Sequence, residues 1–203
     1  MAESKSGTAS GALQLAPNFL TLLRLALAIP FFYTLTDLPD KANLALMLFF
    51  AAGATDVLDG FVARRYGGQS VFGRLMDPAT DKILVCGAFV FLVAAPVSVP
   101  AWVVVVILAR ELGVTALRAV AEAQGHPYPG TISGKIKMSV EFTTLCYLVI
   151  YAGHLQRLGA TWPTIVYWAL LILTLLAVVI SGTQHVVRSL RLILRTPPAQ
   201  TAP

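Results

Sequence analysis

Six apolar stretches, each about 20 residues long, make up most of this 203-residue chain. A helix needs roughly 20 predominantly apolar residues to cross the hydrocarbon core of a bilayer. The mean hydropathy of +0.74 and the charged fraction of only 12% lie far outside the range of soluble domains. The sequence therefore predicts an all-α integral membrane protein with six transmembrane helices. Their approximate ranges are 18–37, 43–65, 73–95, 100–122, 134–155 and 162–185.

The six spans are predicted to form one domain, because their connections are short and the chain has no internal repeat. We expect a transmembrane domain over 15–190, a disordered tail over 1–14, and a basic, proline-containing tail over 191–203. No short apolar run with a cleavable small-residue site precedes the first span, so we expect no signal peptide. Cys86 and Cys146 lie in apolar runs, which favours buried free thiols over a disulfide.

Positive charge is concentrated on one side of the predicted bundle. With the N-terminus inside, the outer loops carry only Lys41 and Arg157, whereas the inner connections and the C-terminal tail carry most of the other basic residues. The positive-inside rule then places both termini in the cytoplasm. The net charge of +5 is accordingly expected to meet anionic lipid headgroups, and no nucleic-acid partner is expected.

Four aspartates interrupt the apolar pattern near the inner ends of spans two and three. Asp56 and Asp59 are three residues apart, and Asp77 and Asp81 are four apart, so each pair shares one face of its helix. Ionisable groups inside a membrane cost ~2.5 kcal/mol or more each, and they usually line a functional polar cavity. Carboxylate oxygens without Cys or His suit Mg²⁺ or Mn²⁺. The sequence therefore predicts a polar, metal-binding cavity on the cytoplasmic side.

Two alternative roles for these aspartates stay open. An intramembrane aspartate can simply pair with Arg or Lys, and carboxylates also line the pathways of proton and cation transporters. A transporter needs polar positions that reach the outer half of the bundle. The outer halves of spans two, three and four are almost wholly Leu, Val, Ala and Phe. The pattern therefore favours an enzyme that works at the inner face over a cation transporter.

The two acidic segments together resemble the signature of the CDP-alcohol phosphotransferase family. That signature reads Asp-x-x-Asp-Gly-x-x-Ala-Arg, eight further residues, then Gly-x-x-x-Asp-x-x-x-Asp, and every fixed position is filled between Asp56 and Asp81. The resemblance implies a six-helix membrane enzyme that uses a CDP-linked donor and divalent metal, with two ions of Mg²⁺ or Mn²⁺ expected. It also implies a homodimer, and the orientation set by the positive charges places the active site on the cytoplasmic side.

The resemblance also implies a role for each signature residue. Asp81 is expected to accept the proton of the acceptor hydroxyl as a general base. The implied metal ligands are Asp56, Asp59, Asp77 and Asp81. The implied nucleotide-binding residues are Asn18, Thr21, Asp56, Gly60, Ala63, Arg64 and Gly73. Arg24, in the same span as Asn18 and Thr21, is expected near the cytoplasmic entrance.

Segments 17–24, 109–118 and 134–137 resemble those of bacterial phosphatidylglycerophosphate synthases. This resemblance implies transfer of the phosphatidyl group of CDP-diacylglycerol to glycerol 3-phosphate. It also implies that the membrane is a bacterial plasma membrane. Guanidinium and ammonium groups can hold the acceptor phosphate, and the expected residues are Arg110, Arg118, Lys135 and Lys137.

The choice of acceptor is not fixed by charge alone. Met138 stands where the synthases usually have Thr, and enzymes that use inositol phosphate also bind an anionic acceptor. The phosphatidylinositol-phosphate synthase and cardiolipin synthase types therefore stay open as alternatives. An ion pair between Arg110 and Glu111 is equally an alternative to a phosphate contact by Arg110.

Overall fold

The computed structural model describes residues 22–38, 40–66, 71–95, 99–124 and 131–195. The side chains of 56–57, 59–66, 71–78 and 193–195 are outside the description, although their backbone is helical. All regular structure within these ranges is helical, as the apolar pattern predicts. The fold class is therefore confirmed as all-α for the described part of the chain.

The helices follow one another with short connections. In chain order they are α1 (Leu22–Leu35), α2 (Ala42–Tyr66), α3 (Val71–Ala94), α4 (Ala101–Ala123), α5 (Ile132–Ile150) and α6 (Trp162–Arg195). The end of α5 continues into a π-helical turn over Tyr151–Leu155 and a 3₁₀ turn over Gln156–Leu158. Gly159 then takes up a left-handed φ of 63°, which permits the chain to reverse before α6.

The predicted spans correspond to these helices one for one, but α6 is ten residues longer than the span predicted to end at 185. Residues 186–195 consist of Val, Leu and Ile with three arginines and Ser189, and they contain no proline or glycine; the next prolines follow at 197 and 198. Hydropathy falls where the arginines begin, although the helix does not end there. At 1.5 Å per residue the 34 residues of α6 extend about 51 Å, beyond the ~30 Å hydrocarbon core.

Among the described residues, one helix is long and apolar enough to cross a membrane, over Trp162–Leu192 of α6. α1 and the Ala42–Thr55 part of α2 are shorter apolar helices. Large apolar side chains on α6, including Ile165, Ile172 and Leu176, are more than half exposed. An exposed apolar face of this extent is typical of contact with lipid or with another protein. The number of membrane spans stays a prediction.

The first compact unit contains α1, α2 and α3 together with Leu148–Gly159. Aromatic rings stack both inside and at the surface of this unit: the buried Phe31 ring lies 5.3 Å from that of Phe49, and the partly buried Phe32 ring lies 5.1 Å from that of Phe91, which is 36% exposed, between ring centroids. Gly87 permits this packing, because a Cβ at that position would overlap the Phe32 ring. Close packing of α1 against α3 therefore depends on a glycine in α3.

The two basic residues predicted for the outer loops both lie in this unit, and each forms an ion pair with an aspartate. Lys41 pairs with Asp37 at 2.7 Å, and this hydrogen bond raises the pKa of Lys41. Arg157 pairs with Asp40 at 3.3 Å, with both side chains largely exposed. Exposed pairs of this kind contribute little to stability.

The second compact unit contains α4, α6 and α5 up to Tyr147. Polar contacts join α5 to α6 inside it: Thr144 and Thr174 share a 2.8 Å hydrogen bond, and the Tyr147 hydroxyl donates to the Pro163 carbonyl at 2.8 Å. Interhelical bonds between hydroxyl groups satisfy polar side chains that would otherwise face hydrocarbon.

The two cysteines are free thiols, Cys86 buried and Cys146 partly buried. The sequence prediction that no disulfide joins them is confirmed.

Candidate active site

The four signature aspartates lie on two helices of the first unit. α2 carries Asp56 and Asp59, and α3 carries Asp77 and Asp81, with the helical spacing of three and four residues that the sequence predicts. Of these four side chains, only that of Asp81 is described. The predicted site residues that lie outside the described residues or side chains are Asn18, Thr21, Asp56, Asp59, Gly60, Ala63, Arg64, Gly73 and Asp77.

No group of three or more His, Cys, Asp or Glu side chains that could hold a metal occurs among the side chains that the structure describes. Three of the four predicted ligands are outside that set. The metal site is thus neither supported nor contradicted by side-chain geometry, and it stays a prediction.

Asp81 forms an ion pair with Arg24 of α1. The Arg24 Nη1 donates to Asp81 Oδ1, and the Arg24 side chain is 1% exposed whereas that of Asp81 is 27% exposed. The Arg24 Nε lies 3.4 Å from the hydroxyl of Thr55, which itself donates to the Ala52 carbonyl at 2.7 Å. Arg24 therefore links α1 both to the last signature aspartate and to the residue that precedes Asp56.

The sequence places Arg24 near the cytoplasmic entrance but does not predict its partners, and the structure adds it to the candidate site. A buried guanidinium needs a counter-charge and hydrogen-bond acceptors, because desolvating an unpaired ion costs several kcal/mol. The only indication in the sequence that Arg24 belongs to the site is that it is a basic residue inside an apolar span. Its acidic partner lies 57 positions away, and sequence spacing alone does not identify such a pair.

A second cluster of charges lies in the second unit, and we call it the α4–α5 charge cluster. It consists of Arg110 and Glu111 on α4 with Lys137 and Glu141 on α5. Lys137 Nζ lies 2.6 Å from Glu111 Oε1 and 2.5 Å from Glu141 Oε2, and Arg110 Nη1 lies 2.5 Å from Glu111 Oε1. Arg110 Nη2 also donates to the Ser181 hydroxyl of α6 at 2.6 Å.

The charge cluster is buried and electrically neutral. All four side chains are 11% exposed or less, and two cations face two carboxylates. Within the described structure, Arg110 Nε and Glu141 Oε1 are buried without a hydrogen-bond partner. The ion pair between Arg110 and Glu111 is confirmed. A phosphate bound by Arg110 or Lys137 would compete with carboxylates that already hold them, and their predicted phosphate contacts stay predictions.

The other two predicted phosphate residues are more accessible. Lys135 is exposed although it lies only two residues before the buried Lys137 on α5, and Arg118 of α4 is partly buried. Residues two apart on a helix point about 200° apart, so the Lys137 side chain is buried between the helices while the Lys135 side chain points away from them.

The start of α5, which contains the predicted Gly134–Lys135 segment, is fixed by Thr131. The Thr131 hydroxyl accepts a hydrogen bond from the Gly134 backbone N–H at 3.1 Å, as in a helix N-cap. It also lies 3.1 Å from Nε2 of His185, which is 2% exposed. α6 thereby holds the first turn of α5, in which Lys135 lies.

Comparisons with known proteins agree with the sequence signature. The family model for CDP-alcohol phosphatidyltransferases matches residues 14–183. The chain is 31% identical to the CDP-diacylglycerol–glycerol-3-phosphate 3-phosphatidyltransferase of Bacillus subtilis, over 83% of this chain and 92% of the relative. It is 34% identical to a probable phosphatidylglycerophosphate synthase of Mycobacterium tuberculosis, over 94% and 90%.

A relative in Escherichia coli K12 with the same name as the Bacillus protein is 35% identical, over 66% of this chain and 75% of its own length. The family model covers most of the chain, and the signature from Asp56 to Asp81 lies wholly inside the matched range. This chain belongs to the CDP-alcohol phosphatidyltransferase family.

Proposed function

We propose that this protein transfers the phosphatidyl group of CDP-diacylglycerol to glycerol 3-phosphate, forming phosphatidylglycerophosphate and CMP. The observation that carries the proposal is a complete signature in a chain whose relatives, at 31% to 35% identity, bear that activity in their names. The resemblance of segments 109–118 and 134–137 to the synthases supports the same acceptor. Arg118 and Lys135 of these segments supply positive charge suited to an anionic acceptor, whereas Arg110 and Lys137 are paired with Glu111 and Glu141.

The proposed metal ligands are Asp56, Asp59, Asp77 and Asp81. Four carboxylates on two helices of one unit are a suitable donor set for Mg²⁺ or Mn²⁺, which prefer oxygen ligands. When bound, divalent metal would neutralise the donor diphosphate and stabilise the charge on the departing CMP. Two ions are part of the proposal by family resemblance.

Asp81 is proposed as the general base. Its carboxylate accepts the proton of the glycerol 3-phosphate 1-hydroxyl, whose oxygen then attacks the β-phosphorus of CDP-diacylglycerol. The bond from that phosphorus to the bridging oxygen breaks, and CMP leaves with the electron pair. The proposed nucleotide-binding residues are Asn18, Thr21, Gly60, Ala63, Arg64 and Gly73, together with Asp56.

Direct contact with the acceptor phosphate is proposed for Lys135, whose side chain is exposed, and for Arg118, whose side chain is partly buried. Arg can hold a phosphate bidentately, and Lys adds a point charge. Arg110 and Lys137 lie in the neutral charge cluster, so a phosphate contact from either one would require the cluster to rearrange.

The proposed setting is a bacterial plasma membrane that the protein crosses with six helices. Both termini and the active site would face the cytoplasm, and the protein would act as a homodimer. The basic residues of the inner connections and the exposed apolar face of α6 support the membrane assignment. The dimer rests on family resemblance alone.

The experiment is a CMP-release assay on purified protein in detergent with CDP-diacylglycerol. Glycerol 3-phosphate, inositol phosphate, inositol, serine and phosphatidylglycerol are offered separately, with Mg²⁺, with Mn²⁺ or with a chelator. We expect metal-dependent release only with glycerol 3-phosphate. Release with a different alcohol would replace the acceptor, and release with none of them would contradict the enzyme assignment.

A further inference from the structure

Arg24 is the most deeply buried charged side chain among those described in the first unit, with 1% of it exposed. Its guanidinium contacts Asp81 on α3 through Nη1 and the Thr55 hydroxyl on α2 through Nε. The two helices that carry all four signature aspartates are thus held by one side chain from a third helix. Arg24 itself lies outside the signature.

The geometry of a guanidinium fits a positioning role. Its donors form a rigid planar fork, so two partners held by different nitrogens are fixed relative to each other. The Thr55 hydroxyl is anchored by its own bond to the Ala52 carbonyl, which gives Arg24 a fixed point on α2. The bond to Asp81 Oδ1 then restricts rotation of that carboxylate, because turning it would break an ion pair whose arginine is buried and whose aspartate is 27% exposed.

We propose that Arg24 is a positioning residue for the phosphatidyl transfer, and that it fixes the orientation of the Asp81 carboxylate from the buried side. The inference rests on the proposed function, in which Asp81 acts on the acceptor hydroxyl. Reaction rates are sensitive to such placement: a shift of about 1 Å in a reacting group can cost about 100-fold. Arg24 has no contact with substrate in this proposal.

A purely structural role for Arg24 makes a different prediction. If the ion pair only holds the helices together, a variant that still folds keeps its kcat, and the loss shows as a lower Tm. If Arg24 orients Asp81, kcat falls in folded protein while KM for both substrates stays nearly constant. The split between kcat and KM therefore separates the two roles.

The test compares Arg24→Lys, Arg24→Gln and Thr55→Val with the wild type, measuring kcat, KM for both substrates and Tm in detergent. Arg24→Lys keeps the charge but loses the planar fork, and we expect a fall in kcat of about tenfold with KM within about twofold. We expect a larger fall for Arg24→Gln. Thr55→Val retains the shape and removes only the anchor, and a fall of about threefold to tenfold is expected.

The matched control is Arg157→Gln, which breaks an exposed ion pair with Asp40 in the same unit. We expect it to leave kcat, KM and Tm unchanged. If Arg24→Gln fails to fold, Arg24→Lys and Thr55→Val decide the question. A kcat within about twofold of wild type in both of them would overturn the positioning role, whereas an inactive wild type would count against the proposed function instead.

Discussion

Lys137 offers the sharpest stability prediction, because it neutralises two carboxylates inside the second unit. Its Nζ lies 2.6 Å from Glu111 Oε1 and 2.5 Å from Glu141 Oε2. Lys137→Met keeps the length and apolar stem of the side chain but removes the charge. Glu111 retains its pair with Arg110, whereas Glu141 has no other cation within ion-pair distance among the described residues. The variant therefore leaves one buried carboxylate without a counter-charge.

The expected cost follows from the burial of Glu141, whose side chain is 2% exposed. Removing one partner of a buried ion pair typically costs about 3–5 kcal/mol, because the remaining ion is desolvated and unpaired. Glu141 also has a second oxygen, Oε1, that has no hydrogen-bond partner in the described structure. We therefore expect Lys137→Met to lower the free energy of unfolding by about 3 kcal/mol or more.

Lys135→Met is the matched control, since it makes the same chemical change two residues away on the exposed side of α5. Surface substitutions of this kind usually change stability by about 0.5 kcal/mol or less. The double variant Lys137→Met/Glu141→Leu removes the stranded carboxylate and should recover most of the loss, because apolar replacement of a buried pair is often neutral.

The assay is reversible unfolding in mixed micelles, followed by circular dichroism, with all variants at the same detergent composition. The reasoning predicts wild type and Lys135→Met close together, the double variant slightly below them, and Lys137→Met lowest. Equal stability of the two single lysine variants would refute the structural role of Lys137. A double variant no better than Lys137→Met would refute the idea that a stranded charge causes the loss.

Three further predictions concern the first unit and the acceptor. Asp81→Asn should reduce kcat by at least about 100-fold while keeping part of the CDP-diacylglycerol binding. Equal loss of turnover and binding would leave Asp81 only a metal-binding role. The double variant Arg24→Gln/Asp81→Asn controls for the loss of the ion pair between Asp81 and Arg24. Lys135→Met should raise the KM for glycerol 3-phosphate about tenfold and leave Tm unchanged, because one charge-assisted contact with the acceptor phosphate is lost. An unchanged KM in steady-state kinetics would show that Lys135 does not bind the acceptor. Gly87→Ala should lower stability by about 1–3 kcal/mol in the same unfolding assay, because its Cβ would overlap the Phe32 ring; full stability would show that the ring moves aside freely.

The positions of the helices were predictable from hydropathy because each apolar stretch has about the length of a transmembrane helix and is bounded by more polar residues. The exception is the end of α6, where Arg188 and Arg191 lower the hydropathy without interrupting the helix. Arginine has a good helix propensity, and residues 186–195 contain no proline that would interrupt the helical hydrogen bonds. Hydropathy therefore marks where a predicted span leaves the membrane, whereas the helix continues through at least the ten residues that follow.

The sequence shows the acidic motif and predicts the acceptor-binding residues, but it does not separate the surroundings of the individual residues. Lys135 and Lys137 belong to the same short segment, yet one is exposed and the other is held by two carboxylates. The acids that hold Lys137 come from its own helix and from α4. Arg24 likewise finds Asp81 only through the packing of α1 against α3. Such partners depend on tertiary packing, which a local pattern does not specify.

The central claim concerns the acceptor, and glycerol 3-phosphate labelled on its phosphorus tests it most directly. Purified protein is incubated with CDP-diacylglycerol and Mg²⁺ or Mn²⁺, and both the extracted lipid and the released CMP are measured. The account predicts one labelled phosphate, as a monoester in phosphatidylglycerophosphate, for each CMP released. Label that stays wholly in the aqueous phase while active protein releases CMP to another alcohol would contradict it.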